Sequence, residues 1–322
     1  MGADRQELAG LDEALLGAPC TLTRDEVTAR AGVGTDEARA VWAAMGFAEV
    51  PPDERVFTER DVEALRTAFA LRATGLVDPD TLLVLARAMG QGLARLAEAQ
   101  VEVFRGQADG MTVEQAYEAA TAAADDVVPG LERLLVHVWR RQFAAATERS
   151  LATLTVGHPV LAVGFVDLVG FTQTSREYDA GQLQRLLERF ERETSLRVTA
   201  CGGRVIKMLG DEVLYVTDDV AGAAEVALET VALHEQDDSL PEVRAGVALG
   251  PVLARLGDVF GEPVNLASRL TTEARPSSVL VDRVAADALR DDPAYELVRL
   301  KHRSVRGYRA LRPYLLRRAA AS

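Results

Sequence analysis

At 322 residues, with 48% hydrophobic and 26% charged side chains, the chain is long enough for two ordinary domains and has a globular composition. Its net charge of −13 and pI near 4.9 argue against general affinity for nucleic acid or an anionic membrane. No window approaches ~18 uninterrupted apolar residues, and the acidic opening MGADRQELAGLDEALLG lacks a basic leader; no membrane span, no signal peptide and a cytoplasmic setting are expected.

The first half reads as helix. LTRDEVTARAGVGTDEARAVWAAMGFAEV has a helix-turn-helix cadence around a Gly-containing turn. DVEALRTAFALRATG and PDTLLVLARAMGQGLARLAEAQVEVF carry apolar residues at spacings of three and four. Pro129 and Gly130 are expected to interrupt a helical region, after which GLERLLVHVWRRQFAAATERSLATL forms one long helix. This predicts an all-helical domain over 1–129, a linker helix over 130–156 and a second domain over 157–322. Cys20 and Cys201 lie far apart without metal-ligand spacing and read as reduced thiols.

From His158 onward strands and helices alternate. LAVGFVDLV suits a buried strand, and AGQLQRLLERFERETSLRVTA is a helix closed at Gly202–Gly203. GRVIKMLGDEVLYV is two β-rich runs around Leu209–Gly210–Asp211–Glu212, hence a hairpin. A helix in AGAAEVALETVALHEQ, a strand in EVRAGVALG, a helix over 262–274 and a strand in SSVLVD complete the order. That order predicts an α+β domain, one sheet with helices packed on one face.

The chemistry concentrates in this half. Asp167 ends the first strand and Asp211 sits at the hairpin tip. Each alone reads as a turn residue, but two carboxylates on adjacent strand ends repel, and holding both ionised calls for a divalent cation. The loop Gly170–Phe171–Thr172 can offer backbone amides to phosphate oxygens. In GDVFGEPVNLASRL, Pro263 fits a first helical turn, so Asn265 and Arg269, four apart, share a face suited to a ribose oxygen and a phosphate. Lys207 is one of only two lysines among 36 basic residues, the other being Lys301.

FVDLVGFT, IKMLGDE and LGDVFGEPVNLASRL, in that order and separation, resemble the catalytic domain of class III nucleotidyl cyclases over roughly residues 160–313. The resemblance implies a ferredoxin-like α+β catalytic domain preceded by an all-α regulatory domain. It implies Asp167 and Asp211 as ligands of two Mg²⁺ or Mn²⁺ ions, with the Leu168 carbonyl as a minor ligand. Lys207 and Asp258 would recognise the base, Asn265 would orient the ribose, and Arg269 would stabilise the α-phosphate. These positions carry the adenylate-type residues, implying ATP as substrate and cyclic AMP and pyrophosphate as products. A homodimer with two interfacial sites is implied, the metal aspartates of one chain facing the other four residues of its partner.

The adenine preference also follows from hydrogen-bond chemistry. Adenine offers an acceptor at N1 and a donor at N6, matching a donating Lys207 and an accepting Asp258. Guanine reverses both, and mispaired buried polar groups cost about 1–3 kcal/mol each. Where many relatives carry a phosphate-binding arginine this chain has Pro251; Arg255 or Arg306 is the expected replacement. The short text between Gly250 and Asp258 leaves out the extended dimerisation arm of some relatives. LGDEV echoes the diguanylate cyclase hairpin, but Leu209 stands where that family needs glycine.

Residues 8–150 resemble the helical regulatory domain fused to certain actinobacterial adenylate cyclases. That resemblance implies a module packing on the catalytic domains through the Gly130–Leu154 helix, and a small regulatory ligand, a proton or a lipid. His137 and His158 are the titratable candidates. The helix-turn-helix cadence also resembles MerR-type regulators, but acidic residues outnumber arginines and lysine is absent, which opposes DNA binding. A catalytically silent nucleotide- or signal-binding regulator is the alternative, opposed by the intact metal and base residues.

Overall fold

The structure is a computed structural model describing residues 3–108, 110–153, 157–237, 239–301, 303–305 and 308–319, with backbone alone for 3–9, 107, 125, 153, 303–305 and 308–311. The chain divides into two compact units, Met1–Thr147 and Glu148–Ser322.

The first unit contains α1 (Ala3–Leu16), α2 (Arg24–Ala31), α3 (Thr35–Met45), α4 (Glu59–Ala73), α5 (Pro79–Arg105) and most of α6 (Val113–Thr153). Local chemistry sets the boundaries. Thr23 and Glu26 form a capping box at α2, Thr58 and Asp61 another at α4, and Asp78 caps α5 just before its Pro79. Gly32 and Gly46 close α2 and α3 in the left-handed region, so the helix-turn-helix cadence is realised. One small core joins Leu22, Val27, Ala38, Val62 and Leu65, with Trp42 stacked on Phe57 at 5.1 Å. A second joins Val41, Leu82 and Ala86. Gly90 is required there, since a Cβ would lie 2.1 Å from the Met45 carbonyl oxygen. The expected interruption at Pro129 does not occur: α6 is one 41-residue helix with Pro129 in its interior. A proline there removes one amide donor, which costs less than ending the helix when so many turns flank it on both sides.

The second unit runs β1 (Val160–Leu168), α7 (Phe171–Glu177), α8 (Ala180–Ala200), β2 (Arg204–Met208), β3 (Glu212–Thr217), α9 (Val220–Gln236), β4 (Val243–Pro251), β5 (Leu253–Arg255), β6 (Asp258–Phe260), α10 (Glu262–Glu273), β7 (Ser278–Val281), α11 (Arg283–Leu289), β8 (Tyr295–Arg299), β9 (Arg303–Val305), β10 (Tyr308–Leu311) and β11 (Tyr314–Arg318). Seven strands form one sheet in the order β2-β3-β1-β4-β7-β11-β8, and its only parallel pair is β4–β7. This is the expected α+β domain. One expectation is corrected: the helices cover both faces. Ala162, Val166, Tyr215 and Val247 face α8, α9 and α11, where Phe190, Val231 and Ala286 pack. The alternate residues Val163, Phe165, Leu214 and Ala248 face α10 through Ala267 and Leu270. Period-two alternation with apolar residues at both parities requires cover on both sides. Gly246 lets α10 approach, because a Cβ would sit 2.4 Å from the Thr271 amide nitrogen.

Candidate active site

β1 pairs antiparallel with β3 so that Asp167 lies opposite Glu212. The β2–β3 turn tightens at Gly210, whose φ is 76°, and the Leu209 amide donates to the Glu212 carbonyl at 2.7 Å. The Leu168 amide donates to the Asp211 carbonyl at 2.9 Å, which stitches the hairpin tip to the end of β1. The two predicted carboxylates are thus brought together, with the Leu168 backbone between them.

Asp167 has a side chain only 13% exposed. Burial raises its carboxyl above the usual range, Arg244 draws it back, and the neighbouring Asp211 adds to the rise. Two such carboxylates fit a divalent cation. Among the described residues no set of three or more His, Cys, Asp or Glu forms a cage, so water and phosphate oxygens would complete the coordination.

Two residues at this centre went unrecognised in the sequence. Arg244 of β4 lies opposite Asp167 on its other side, so Glu212, Asp167 and Arg244 form one row across three strands. The Arg244 Nε donates to Asp167 Oδ2 at 2.7 Å. Glu212 is pushed up to about 7 by burial and by the charges of Asp167 and Asp211. A lone arginine inside EVRAGVALG was the available signal, but only the register shows what it meets.

Lys207 and Asp258, 51 residues apart, meet with Nζ 2.5 Å from Oδ2. A bulge in β2 aims the lysine. Val205 pairs with Tyr215, Lys207 with Leu214 and Met208 with Val213, leaving Ile206 as the extra residue. Without it, strict alternation would turn Lys207 toward the α9 face; with it, Lys207 shares the α10 face with Leu214. Asp258 begins β6 after a two-residue turn in which Leu256 and Gly257 have φ of 52° and 83°. A second bond holds the aspartate, whose Oδ1 accepts from the Val259 amide at 2.9 Å.

On α10, Pro263, Ala267, Leu270 and Thr271 are buried, while Asn265 and Arg269 are exposed on the opposite side as their spacing predicts. Arg269 has no ion pair among the described residues. Gly170, with φ of 72°, precedes α7 and accepts from the amides of Gln173 and Thr174 at 2.8 and 3.1 Å. The amides of Phe171 and Thr172 lie in the first turn of α7, where an amide has no acceptor within the helix. Arg255 is exposed in β5, and Arg306 lies outside the described residues.

A family model described as the adenylate and guanylate cyclase catalytic domain matches residues 157–318, and one described as the adenylate cyclase regulatory domain matches residues 6–145. An adenylate cyclase of Streptomyces coelicolor is 42% identical over 297 residues, covering 89% of this chain and 77% of that one. An adenylate cyclase of Glutamicibacter nicotianae is 34% identical over 334 residues, covering 98% and 83%. The solved adenylyl cyclase CyaB of P. aeruginosa aligns with a TM-score of 0.44 and 24% identity over 50% of this chain and 94% of its own. No described helix is long and apolar enough to cross a membrane.

Proposed function

The chain belongs to the adenylate and guanylate cyclase family, with an adenylate cyclase regulatory domain ahead of its catalytic domain, and from that premise we propose that it is an adenylate cyclase converting ATP to 3′,5′-cyclic AMP and pyrophosphate. The observation that carries the substrate is the Lys207–Asp258 pair, which sets one donor beside one acceptor at a single place. Lys207 donates to adenine N1 and Asp258 accepts from the N6 amino group. Guanine would face both with like partners.

Asn265 holds the ribose so that its 3′-oxygen lies in line with the α-phosphorus. The 3′-oxygen forms the new bond to phosphorus, the bond to the bridging oxygen of pyrophosphate breaks, and the hydroxyl proton leaves to solvent. Arg269 meets the negative charge that builds on the α-phosphoryl oxygens. The Phe171 and Thr172 amides receive phosphate oxygens. Two Mg²⁺ or Mn²⁺ ions held by Asp167 and Asp211 would supply acidity to the 3′-hydroxyl and neutralise the triphosphate.

The site is shared between two copies of the chain, the carboxylates of one facing Lys207, Asp258, Asn265 and Arg269 of the other. The enzyme works in the cytoplasm, and the helical unit regulates it through a small ligand, a proton or a lipid. Purified full chain supplied with ATP and Mn²⁺ is expected to release cyclic AMP and pyrophosphate in equal amounts; absence of both products would overturn the enzymatic reading. Mixing Asp167→Asn chains with Arg269→Ala chains tests the sharing. Each mixed dimer rebuilds one intact site of two, so random pairing should restore about a quarter of wild-type activity. No recovery on mixing would place all six residues in one chain's site.

A further inference from the structure

We propose that Arg244 is a positioning residue of the metal centre, holding the Asp167 carboxylate by Oδ2 so that Oδ1 is turned to a cation. The inference rests on the reading of Asp167 and Asp211 as metal ligands. Three contacts fix the guanidinium. Its Nε and Nη2 both lie 2.7 Å from Oδ2 of Asp167, and Nη1 donates to the Thr272 carbonyl at 3.0 Å. The fork therefore closes on one oxygen, Oδ2, and among the described residues no hydrogen bond engages Oδ1.

The tether spans three elements: Arg244 is on β4, Asp167 on β1 and Thr272 on α10. A planar fork with donors pointing different ways makes all three contacts, whereas a lysine ammonium, a single atom on a flexible stem, does not bridge Asp167 and Thr272 together. The cross-strand register places the arginine directly opposite the aspartate, so the contact follows from the sheet rather than from a chance surface rotamer. Charge alone works against the arrangement, since a guanidinium repels an incoming cation. Orientation works for it, because a carboxylate already fixed bears no further ordering cost when the cation arrives. Residues that orient metal ligands through hydrogen bonds are typically worth about 10–100-fold in metal affinity.

The experiment titrates Mn²⁺ alone into full chain and reads free Mn²⁺ by electron paramagnetic resonance. Wild type is compared with Arg244→Met and Arg244→Lys, and Asp167→Asn marks the loss of a ligand. Arg244→Met is expected to bind Mn²⁺ about tenfold or more weakly, and Arg244→Lys to fall between it and wild type. In turnover kcat should fall in the same order while KM for ATP stays within about threefold, a split that a merely structural ion pair would not produce. Arg244→Met binding Mn²⁺ as tightly as wild type, or tighter, overturns the proposal. If Arg244→Met does not fold, Arg244→Lys decides on the same criterion. Wild type taking up no Mn²⁺ would remove the metal centre itself, an outcome distinct from wild-type uptake with unaffected variants.

Discussion

The second unit encloses its apolar residues around a sheet, whereas the first displays many of them on two long helices. Among the described residues, twenty-two buried ones form one cluster of the second unit and twelve the other, against five and three in the first unit's two clusters. On α5 and α6, Met89, Leu93, Val103, Phe104, Trp139 and Phe143 remain more than two-fifths exposed. The contrast teaches where rigidity is located. Asp167 on β1 and Asp211 at the turn leading into β3 are anchored to strands backed on both faces by a packed core, and chemistry that depends on sub-ångström placement belongs there. Long helices with thin cores are the more easily displaced elements, which suits a regulatory domain.

The largest expected effect tests the rigid half. Asp211→Asn should lower cyclic AMP formation by about 10³-fold, read under saturating ATP, with a melting temperature close to wild type. A large fall in melting temperature with modest loss of rate would make Asp211 structural and erase the contrast. Next, Lys207→Glu combined with Asp258→Cys should shift the ATP over GTP preference by about 10²-fold, measured as the ratio of kcat/KM values. An unchanged ratio would show that the pair on the α10 face does not read the base.

Packing offers the direct comparison. Phe190→Ala, at a fully buried ring of the second unit, should destabilise that unit by about 3–5 kcal/mol in denaturant melts. Trp139→Ala, at a ring 57% exposed on α6 and stacked on Phe143 at 5.6 Å, should cost under about 1 kcal/mol. A comparable loss at both sites would mean the α6 face is covered in the working assembly.

The smallest effect is a pH slope. His234 is 3% exposed, with Nδ1 2.6 Å from the Pro241 carbonyl and Nε2 without a partner among the described residues. Burial lowers its pKa, and Arg189 and Arg197 push the same way, while the Pro241 contact and Asp237 oppose them. The folded state therefore favours the neutral ring. Its contribution to stability is present above the ordinary value of about 6.5 and is lost as pH falls through the lowered folded value. His234→Gln should melt with a shallower loss as pH falls below about 6.5 than wild type; an identical slope would remove His234 from the acid response.

Much of the site was legible because its chemistry is local. Asp167 ends an apolar run, Asp211 sits in a Gly turn, and Asn265 and Arg269 follow a proline at helical spacing, so each is positioned by residues within a few places of it. The all-helical first half and the strand order of the second were legible for the same reason. What failed depended on distance. Pro129 reads as a breaker, yet it lies within a helix whose flanking turns outweigh one missing donor. Helices on both faces of the sheet could not be read, because periodicity says that two faces are apolar but not which element covers each.

The sequence by itself determined the elements and the family, and it singled out the acidic residues and those proposed to read the base, since all are set by residue type and short spacing. Tertiary structure alone decided how they meet. The β2 bulge turns Lys207 onto the α10 face, against the strict alternation of its strand. The register of β1 against β4 joins Asp167 to Arg244, 77 residues away. Both are matters of strand pairing, where one residue of slip moves a side chain to the opposite face, and pairing is fixed by the whole packed sheet rather than by any segment within it.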